Sequence, residues 1–392
     1  MPTIINDLEK PICAQNRIIR IGKSYTDKDF KKQTVLTDDI FTYVSFFYQS
    51  HKKAMKFVNP NNRVKYGNPS KYSYEFYWKQ AEMFYKAAKT MPIEVKPVAS
   101  YYCMLNAAKS YIAFTSSSAD VFVENFGTHG ISEDKSSAGN DLANICITHK
   151  QKGVFPLFAS KLDPDFTTVW AYAKNGTNYS YSIKTLMYNL PFIHRAYVMT
   201  YSKRYNKVEE LFVPVRVNES PMYFKANDGK AYMSFELERS SFSANAQSIT
   251  NSINMAVNRD FSIYMGTGFR LISNRGARWN SNGSISKEIK DLTNDLRKDF
   301  VYIRSPKRLW YLKKFGLSSG DVINLNTMTI NMAIMHRISE IARYKPEQLN
   351  QLMKSNEYWL LHEYITQALD QFLDELGAQI THLDIMCTNE KF

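Results

Sequence analysis

Apolar residues recur at three- and four-residue steps towards both ends of this chain and at two-residue steps through its middle. The first helical stretch, "TDDIFTYVSFFYQSHKKAMKF", has Thr37 in position to cap it and Asp38 and Asp39 on its first turn. His51, Lys52 and Lys53 fall at its far end, where the helix dipole favours cations. A loop rich in Asn, Pro and Gly follows, then a second amphipathic helix, "YSYEFYWKQAEMFYKAAKT". In the third, "KPVASYYCMLNAAKSYIAF", Ala99, Tyr102, Leu105, Ala108 and Ile112 form one stripe, and Lys109 falls on the same side as Tyr102 and Leu105. Near the C-terminus, "DVINLNTMTINMAIMHRISEIARYKPEQLNQLMKS" and "EYWLLHEYITQALDQFLDELGAQI" are again helical, with Pro346 ending the first run.

Between these ends the period shortens. "KGVFPLF" reads as a strand, and alternation continues through "TTVWAYA", "NYSYSI", "AYVMTYS", "LFVPVRV", "MYFKANDGKAYMSFELE" and "FSIYMGTGFRLIS". Asn227-Asp228-Gly229 between two alternating runs predicts a tight hairpin, because these residues tolerate positive φ. One helix, "ANAQSITNSINMAVNRD", interrupts the strands, and a charged one, "SKEIKDLTNDLRKD", follows them. The expected architecture is α+β: an arm over 1–35, the first half of a helical domain over 36–150, a β-rich basic middle over 151–316, and helices over 317–392 that complete the helical domain.

The 392 residues suffice for two or three domains with a sizeable core, and the four cysteines, Cys13, Cys103, Cys146 and Cys387, lack paired spacing. Free thiols, a polar N-terminus and the absence of an apolar run of membrane-spanning length together predict a cytoplasmic protein without membrane contact. Charge adds a partner class. Of the net +13, the first 316 residues carry a surplus of 18, with 45 Lys and Arg against 27 Asp and Glu. Such a surplus favours a polyanion, since phosphate contacts release counterions; a compositional bias towards lysine would give the same count.

Three residues stand out as candidates for chemistry. His129, between Thr128 and Gly130, has the makings of a general base or a phosphate contact, or of a residue that packs a turn onto the Tyr101-Tyr102 pair. Lys109 on an apolar helix side implies either an ion pair with a carboxylate or an ammonium offered to an anionic ligand. Arg343 lies seven residues from His336, on one helix face, and suits a phosphate site or the dipole of its own last turn, with Tyr344 packing and His336 in the core. Convergence of Lys109, His129 and Arg343 would make a site.

A second candidate is the basic, aromatic run Arg304, Lys307, Arg308, Trp310, Tyr311, Lys313 and Lys314, extended by Arg270, Arg275 and Arg278. Cations interleaved with rings suit single-stranded nucleic acid, whereas lysines on a strand edge also guard against aggregation. No metal site is expected, because Cys146 and His149 lack two further ligands. No cofactor is expected either, since Gly266-Thr267-Gly268 lacks a dinucleotide fingerprint and neither a phosphate loop nor HExxH occurs.

Three blocks, "YSYEFYWKQAEMFYKAAKTMPIEVKPVASYYCMLNAAKSYI", "GTHGISEDKSS" with "HKQKGVFPLF", and "NMAIMHRISEIARYKPEQL", jointly resemble the YaaC-like family of bacterial proteins in order and spacing. The matching positions are Lys96-Pro97, Tyr101-Tyr102, Lys109, His129-Gly130, Gly153 with Phe155, and Arg343-Tyr344 with Pro346. The segment after His129-Gly130, "SEDKSSAGND", is nearly neutral where relatives tend to be basic, so a polyanion contact there is not implied. Residues 97–130 resemble, more remotely, the helical HEPN domains, many of which are ribonucleases. Their Arg followed after four to six residues by His is absent, since Arg195, Arg337 and Arg343 have no such partner. The resemblance implies a bacterial protein without a transferable activity, and some relatives look like accessory parts of antiphage defence. The leading expectation is a non-catalytic subunit that binds RNA, DNA or a protein of the same operon. The alternatives are a metal-independent ribonuclease using His129 with Lys109 or Arg343, and a nucleotide sensor using the same three residues.

Overall fold

The computed structural model describes residues 8–14, 17–25, 34–58, 74–116, 125–135, 139–172, 179–217, 220–238, 260–264, 270–279, 286–307, 309–314 and 321–387. The chain forms an α+β protein of two compact units. One gathers residues 39–209 and 323–381, and the other gathers 1–38, 210–322 and 382–392.

The first unit is helical, with α1 (Ile40–Val58), α2 (Tyr74–Thr90), α3 (Lys96–Thr115), α4 (Val154–Leu162), α5 (Ile183–Tyr188), α6 (His194–Tyr201), α7 (Thr327–Tyr344), α8 (Pro346–Leu352) and α9 (Tyr358–Thr381). Asp39 starts α1 in place of Thr37: its carboxylate accepts from the Phe41 and Thr42 amides at 3.0 and 3.1 Å. The Thr37 amide donates to the Met386 carbonyl. Helix α3 is the centre of the unit. It packs against α2, α4, α7 and α9, and its alanines at 99, 107 and 108 are buried, so neighbouring helices approach it closely. Helix α7 is buried along most of its length and begins at Asn326, whose side chain accepts from the Met328 amide.

Segments 152–158 and 196–202, which read as strands, are helical here as α4 and α6, and Phe166–Val169 is a single helical turn. Both segments belong to the unit that gathers residues 39–209 and 323–381. A short apolar run buried on all sides carries no period, and Val154, Phe155, Phe158, Ala159 and Leu162 are all buried. Pro156 fits because it lies in the first turn of α4, where no amide hydrogen is needed. A small antiparallel sheet, Ile131–Glu133, Cys146–His149 and Tyr181–Ser182, completes the unit.

The second unit is β-rich. An antiparallel sheet runs in the order Leu8–Pro11, Met222–Ala226, Lys230–Glu236, Arg270–Ser273 and Phe261–Ile263, with Ala277–Arg278 also paired to Lys230–Glu236. The N-terminal arm is thus partly a strand of this sheet. Gly229, at φ +76°, closes the expected hairpin. A second antiparallel sheet joins Phe300–Ile303, Leu309–Lys313 and Phe212–Pro214, and Thr34–Leu36 pairs in parallel with Asp384–Met386. The helix Lys287–Arg297 starts at Ser286, which caps the Ile289 amide. Most of the helix expected at 244–260 lies outside the described residues, as do Arg308 and the glycines at 266 and 268.

Candidate anion site on the Tyr101–His129 contact

Tyr101 and Tyr102 are neighbours on α3 and face different surroundings. Tyr101 is buried, whereas Tyr102 is half-buried and stacks on Phe84 of α2 with ring centroids 5.4 Å apart. The turn carrying His129 is pinned against them by the start of α4. The carbonyls of Thr128 and His129 accept from the amides of Val154 and Phe155 at 3.1 and 2.9 Å, and the Asn125 side chain takes the Gly153 amide. The first amides of α4 thereby find partners that its own helix cannot supply. Close approach requires glycine on both sides. Gly130 has φ +77°, and a Cβ there would lie 2.5 Å from Pro156 Cδ and 2.8 Å from Gly153 Cα.

Held in this way, His129 places Nδ1 2.5 Å from the Tyr101 hydroxyl. The direction of that hydrogen bond follows from counting donors. Among the described residues the buried Tyr101 hydroxyl has no other partner, so its proton is satisfied only if it donates to Nδ1. Neutral His129 then carries its hydrogen on Nε2. Burial lowers its pKa first, and the charges of Arg343 and Lys109 lower it further. Arg343 is bonded to Tyr102, whose ring lies 6.5 Å from that of His129, and the charge of Lys109 also reaches the histidine.

Neither cation is paired with a carboxylate among the described residues. Lys109 rests over the rings of Tyr77 and Phe126, 5.6 and 5.4 Å from their centroids, in place of the expected ion pair. Burial lowers its pKa. Arg343 donates from Nη1 to the Tyr102 hydroxyl at 3.2 Å and from Nε to the Ser339 carbonyl at 3.2 Å, and its guanidinium lies 5.0 Å from the Tyr344 ring. Tyr344 does not pack inward: it is 72 % exposed.

Behind the site, His336 is buried with its ring edge-on to Tyr101 at 4.8 Å and 5.5 Å from His129. Burial holds it neutral, helped by the positive charges of Arg343 and Arg337. Its Nδ1 lies 3.6 Å from Glu340, which also accepts from Arg337 at 3.3 Å. Arg337 bonds Glu133 at 2.5 Å, and Lys345 bonds the same carboxylate at 2.9 Å. These carboxylates balance Arg337 and Lys345. Sequence reasoning set the His129 turn on the tyrosine pair as one reading but did not find the Tyr101 hydrogen bond, the contact between Gly130 and Gly153 or the Glu133 bridge, because each joins residues far apart in the chain.

The basic aromatic run fares differently. Trp310 is 2 % exposed, lies in the core of the β-rich unit and is covered by the Arg297 guanidinium at 5.1 Å, so its ring is not open for stacking. Lys313 and Lys314 are buried, and Tyr311 is half-buried. Arg270 pairs with Glu236 at 2.9 Å, and Arg275 with Asp295 at 3.0 Å. Lys307 and Arg278 are exposed, and Arg304 is half-buried. A continuous strip of cations and rings is therefore not present on the described surface.

Among the described residues, no three His, Cys, Asp or Glu side chains are placed to hold a metal, and no helix is long and apolar enough to cross a membrane. A family model described as YaaC-like protein matches residues 32–380. No curated protein and no solved structure matches the chain.

Proposed function

This chain belongs to the YaaC-like protein family, and we propose that it is a non-catalytic protein that binds single-stranded nucleic acid through phosphate contacts from Lys109, His129 and Arg343. The observation that carries this reading is an ammonium and a guanidinium, without carboxylate partners among the described residues, flanking a histidine whose hydrogen is fixed on Nε2. A phosphate oxygen meets three donors there: a point charge, a planar fork and a neutral N–H. The exposed Tyr344 beside Arg343 adds a ring of the kind on which bases stack.

The same tautomer argues against the ribonuclease alternative. A general base must face its substrate with an unprotonated nitrogen, and the nitrogen of that kind on His129 is occupied by Tyr101. As the binding subunit of an antiphage system, the protein would hold nucleic acid for an effector encoded beside it, and co-purification with that neighbour tests this extension.

The direct test uses fluorescence anisotropy with a labelled single-stranded RNA or DNA at about 50 mM salt, where electrostatic binding is strongest. The expected result is binding that Arg343→Gln weakens, with a mixed RNA pool left intact by the wild type. Cleavage of the pool that His129→Ala abolishes would replace this reading with the ribonuclease.

A further inference from the structure

Beside the cation cluster, a cleft of about 440 Å³ opens between the 139–145 loop and the α7–α8 junction. That volume falls within the range of small-molecule sites, about 300–1,000 Å³. Four of the ten residues that line it carry carboxamides, Asn140, Asn144, Gln348 and Gln351, and Tyr344 stands beside them. Asn140 Nδ2 donates to Gln351 Oε1 at 3.1 Å, so these two hold each other in place while remaining exposed. Gln348 Nε2 donates to the Gly139 carbonyl at 3.3 Å and to Asn140 Oδ1 at 3.4 Å, while its Oε1 is buried and accepts no hydrogen bond among the described residues. An acceptor left in that state indicates a missing donor.

The charges narrow the class of ligand. Glu133 and Glu347 against Lys345 leave the lining with one net negative charge, and Lys345 is already engaged by Glu133. A phosphate is therefore disfavoured inside the cleft. A flat, neutral group that donates and accepts hydrogen bonds is favoured, since an amide nitrogen has two hydrogens and an amide oxygen two lone pairs, and the bonds among Asn140, Gln348 and Gln351 use only part of them. Tyr344 joins the two regions. The residue lines the cleft and is 72 % exposed, and its ring lies 5.0 Å from the Arg343 guanidinium.

We propose that this cleft is a nucleobase subsite: a base stacks on Tyr344 and is read by Asn140, Gln348 and Gln351 while its own phosphate lies at the Lys109, His129 and Arg343 cluster. This deepens the phosphate-site reading and rests on it. Carboxamides paired with a base edge discriminate among bases, so the four nucleotides bind unequally. Stacking on one tyrosine corresponds to about 5- to 150-fold in affinity.

Isothermal titration of the full chain with inorganic phosphate, the four nucleoside 5′-monophosphates and the four nucleosides tests the proposal. At least one nucleotide is expected to bind 10-fold or more tightly than phosphate. Tyr344→Ala, and separately the double variant Asn140→Ala with Gln351→Ala, should cut that ratio at least five-fold; all three positions are exposed, and circular dichroism verifies folding. Equal affinity for phosphate and all four nucleotides overturns the subsite, as does a ratio unchanged in both variants. Binding of a nucleoside without any binding of phosphate supports the cleft and removes the phosphate cluster, so the two readings fail separately.

Discussion

Replacing Gly130 by alanine tests the claim that the His129 turn is held by a glycine-to-glycine contact. The backbone there has φ +77°, a conformation that costs an L-residue about 1–2 kcal/mol. The new methyl would also lie 2.5 Å from Pro156 Cδ, 2.8 Å from Gly153 Cα and 2.9 Å from the Lys152 carbonyl oxygen. Two of these are backbone atoms and the third is a ring, so the turn itself must shift, adding about 1–3 kcal/mol. Loss of glycine's freedom in the unfolded chain returns about 0.4–1 kcal/mol. The net expectation is a loss of about 2–4 kcal/mol, read as a lower midpoint in urea unfolding followed by circular dichroism.

Gly229 supplies the control, because it has φ +76° and nothing within 4 Å of its added Cβ. Gly229→Ala therefore carries only the torsional part, about 1 kcal/mol or less after the same offset. Equal losses in the two variants would refute the packing argument, and so would a Gly130→Ala loss below about 1 kcal/mol. A displaced turn also removes His129 from Tyr101, so ligand binding should fall in Gly130→Ala at temperatures where the variant remains folded.

The remaining expectations concern pH, one buried cation and one buried ring. His129 and His336 both have folded pKa values below the ordinary 6.5, so the unfolded chain binds more protons, and stability should fall as pH drops below about 6.5. Urea midpoints between pH 7 and pH 5 should show that decline, and His336→Gln should flatten it; an unchanged slope would remove His336 as its source. Arg337→Met leaves Glu133 and Glu340 without their buried partner and should cost about 2–3 kcal/mol in the same urea assay, while a stabilised variant would show that the ion pairs do not hold α7 in place. Trp310→Ala should destabilise the β-rich unit by about 3–5 kcal/mol, measured by unfolding and by new tryptic cleavage, because the ring is a core residue; loss of nucleic-acid binding at unchanged stability would restore it as a stacking surface.

Much of the helical frame can be read in the sequence: α1 and α2 present periodic stripes, while α3 and α7, buried on most sides, are too long to be strands. The Asn227-Asp228-Gly229 hairpin was equally legible from turn chemistry. Residues 152–202 were not, since α4 and α6 are short and buried on most sides, and a run such as "VFPLF" has no polar face to set a period. The site was half visible. Lys109, His129 and Arg343 were recognisable one by one, yet His129 is placed by a tyrosine 28 residues before it and a glycine pair 23 residues apart, and Arg343 by Tyr102. Lysine on an apolar helix side suggested a carboxylate partner, and two aromatic rings supply the contact instead. Trp310 misled for the opposite reason. Cations around a ring look like a nucleic-acid surface in one dimension, and only the register of Leu309–Lys313 against Phe300–Ile303 turns that ring inward, under Arg297.

The central claim is that the cluster in the helical unit, and not the exposed cations of the β-rich unit, is the phosphate contact. The most direct measurement is the salt dependence of single-stranded RNA binding by anisotropy, for the wild type, for Lys109→Gln, His129→Asn and Arg343→Gln combined, and for Arg278→Ala with Lys307→Ala. The triple variant is predicted to bind at least 10-fold more weakly at about 50 mM salt and with a shallower slope, since each lost phosphate contact removes about 0.7 from it. The Arg278 and Lys307 variant should bind as the wild type does. The reverse pattern, with the triple variant unaffected and the β-rich variant impaired, would contradict the account.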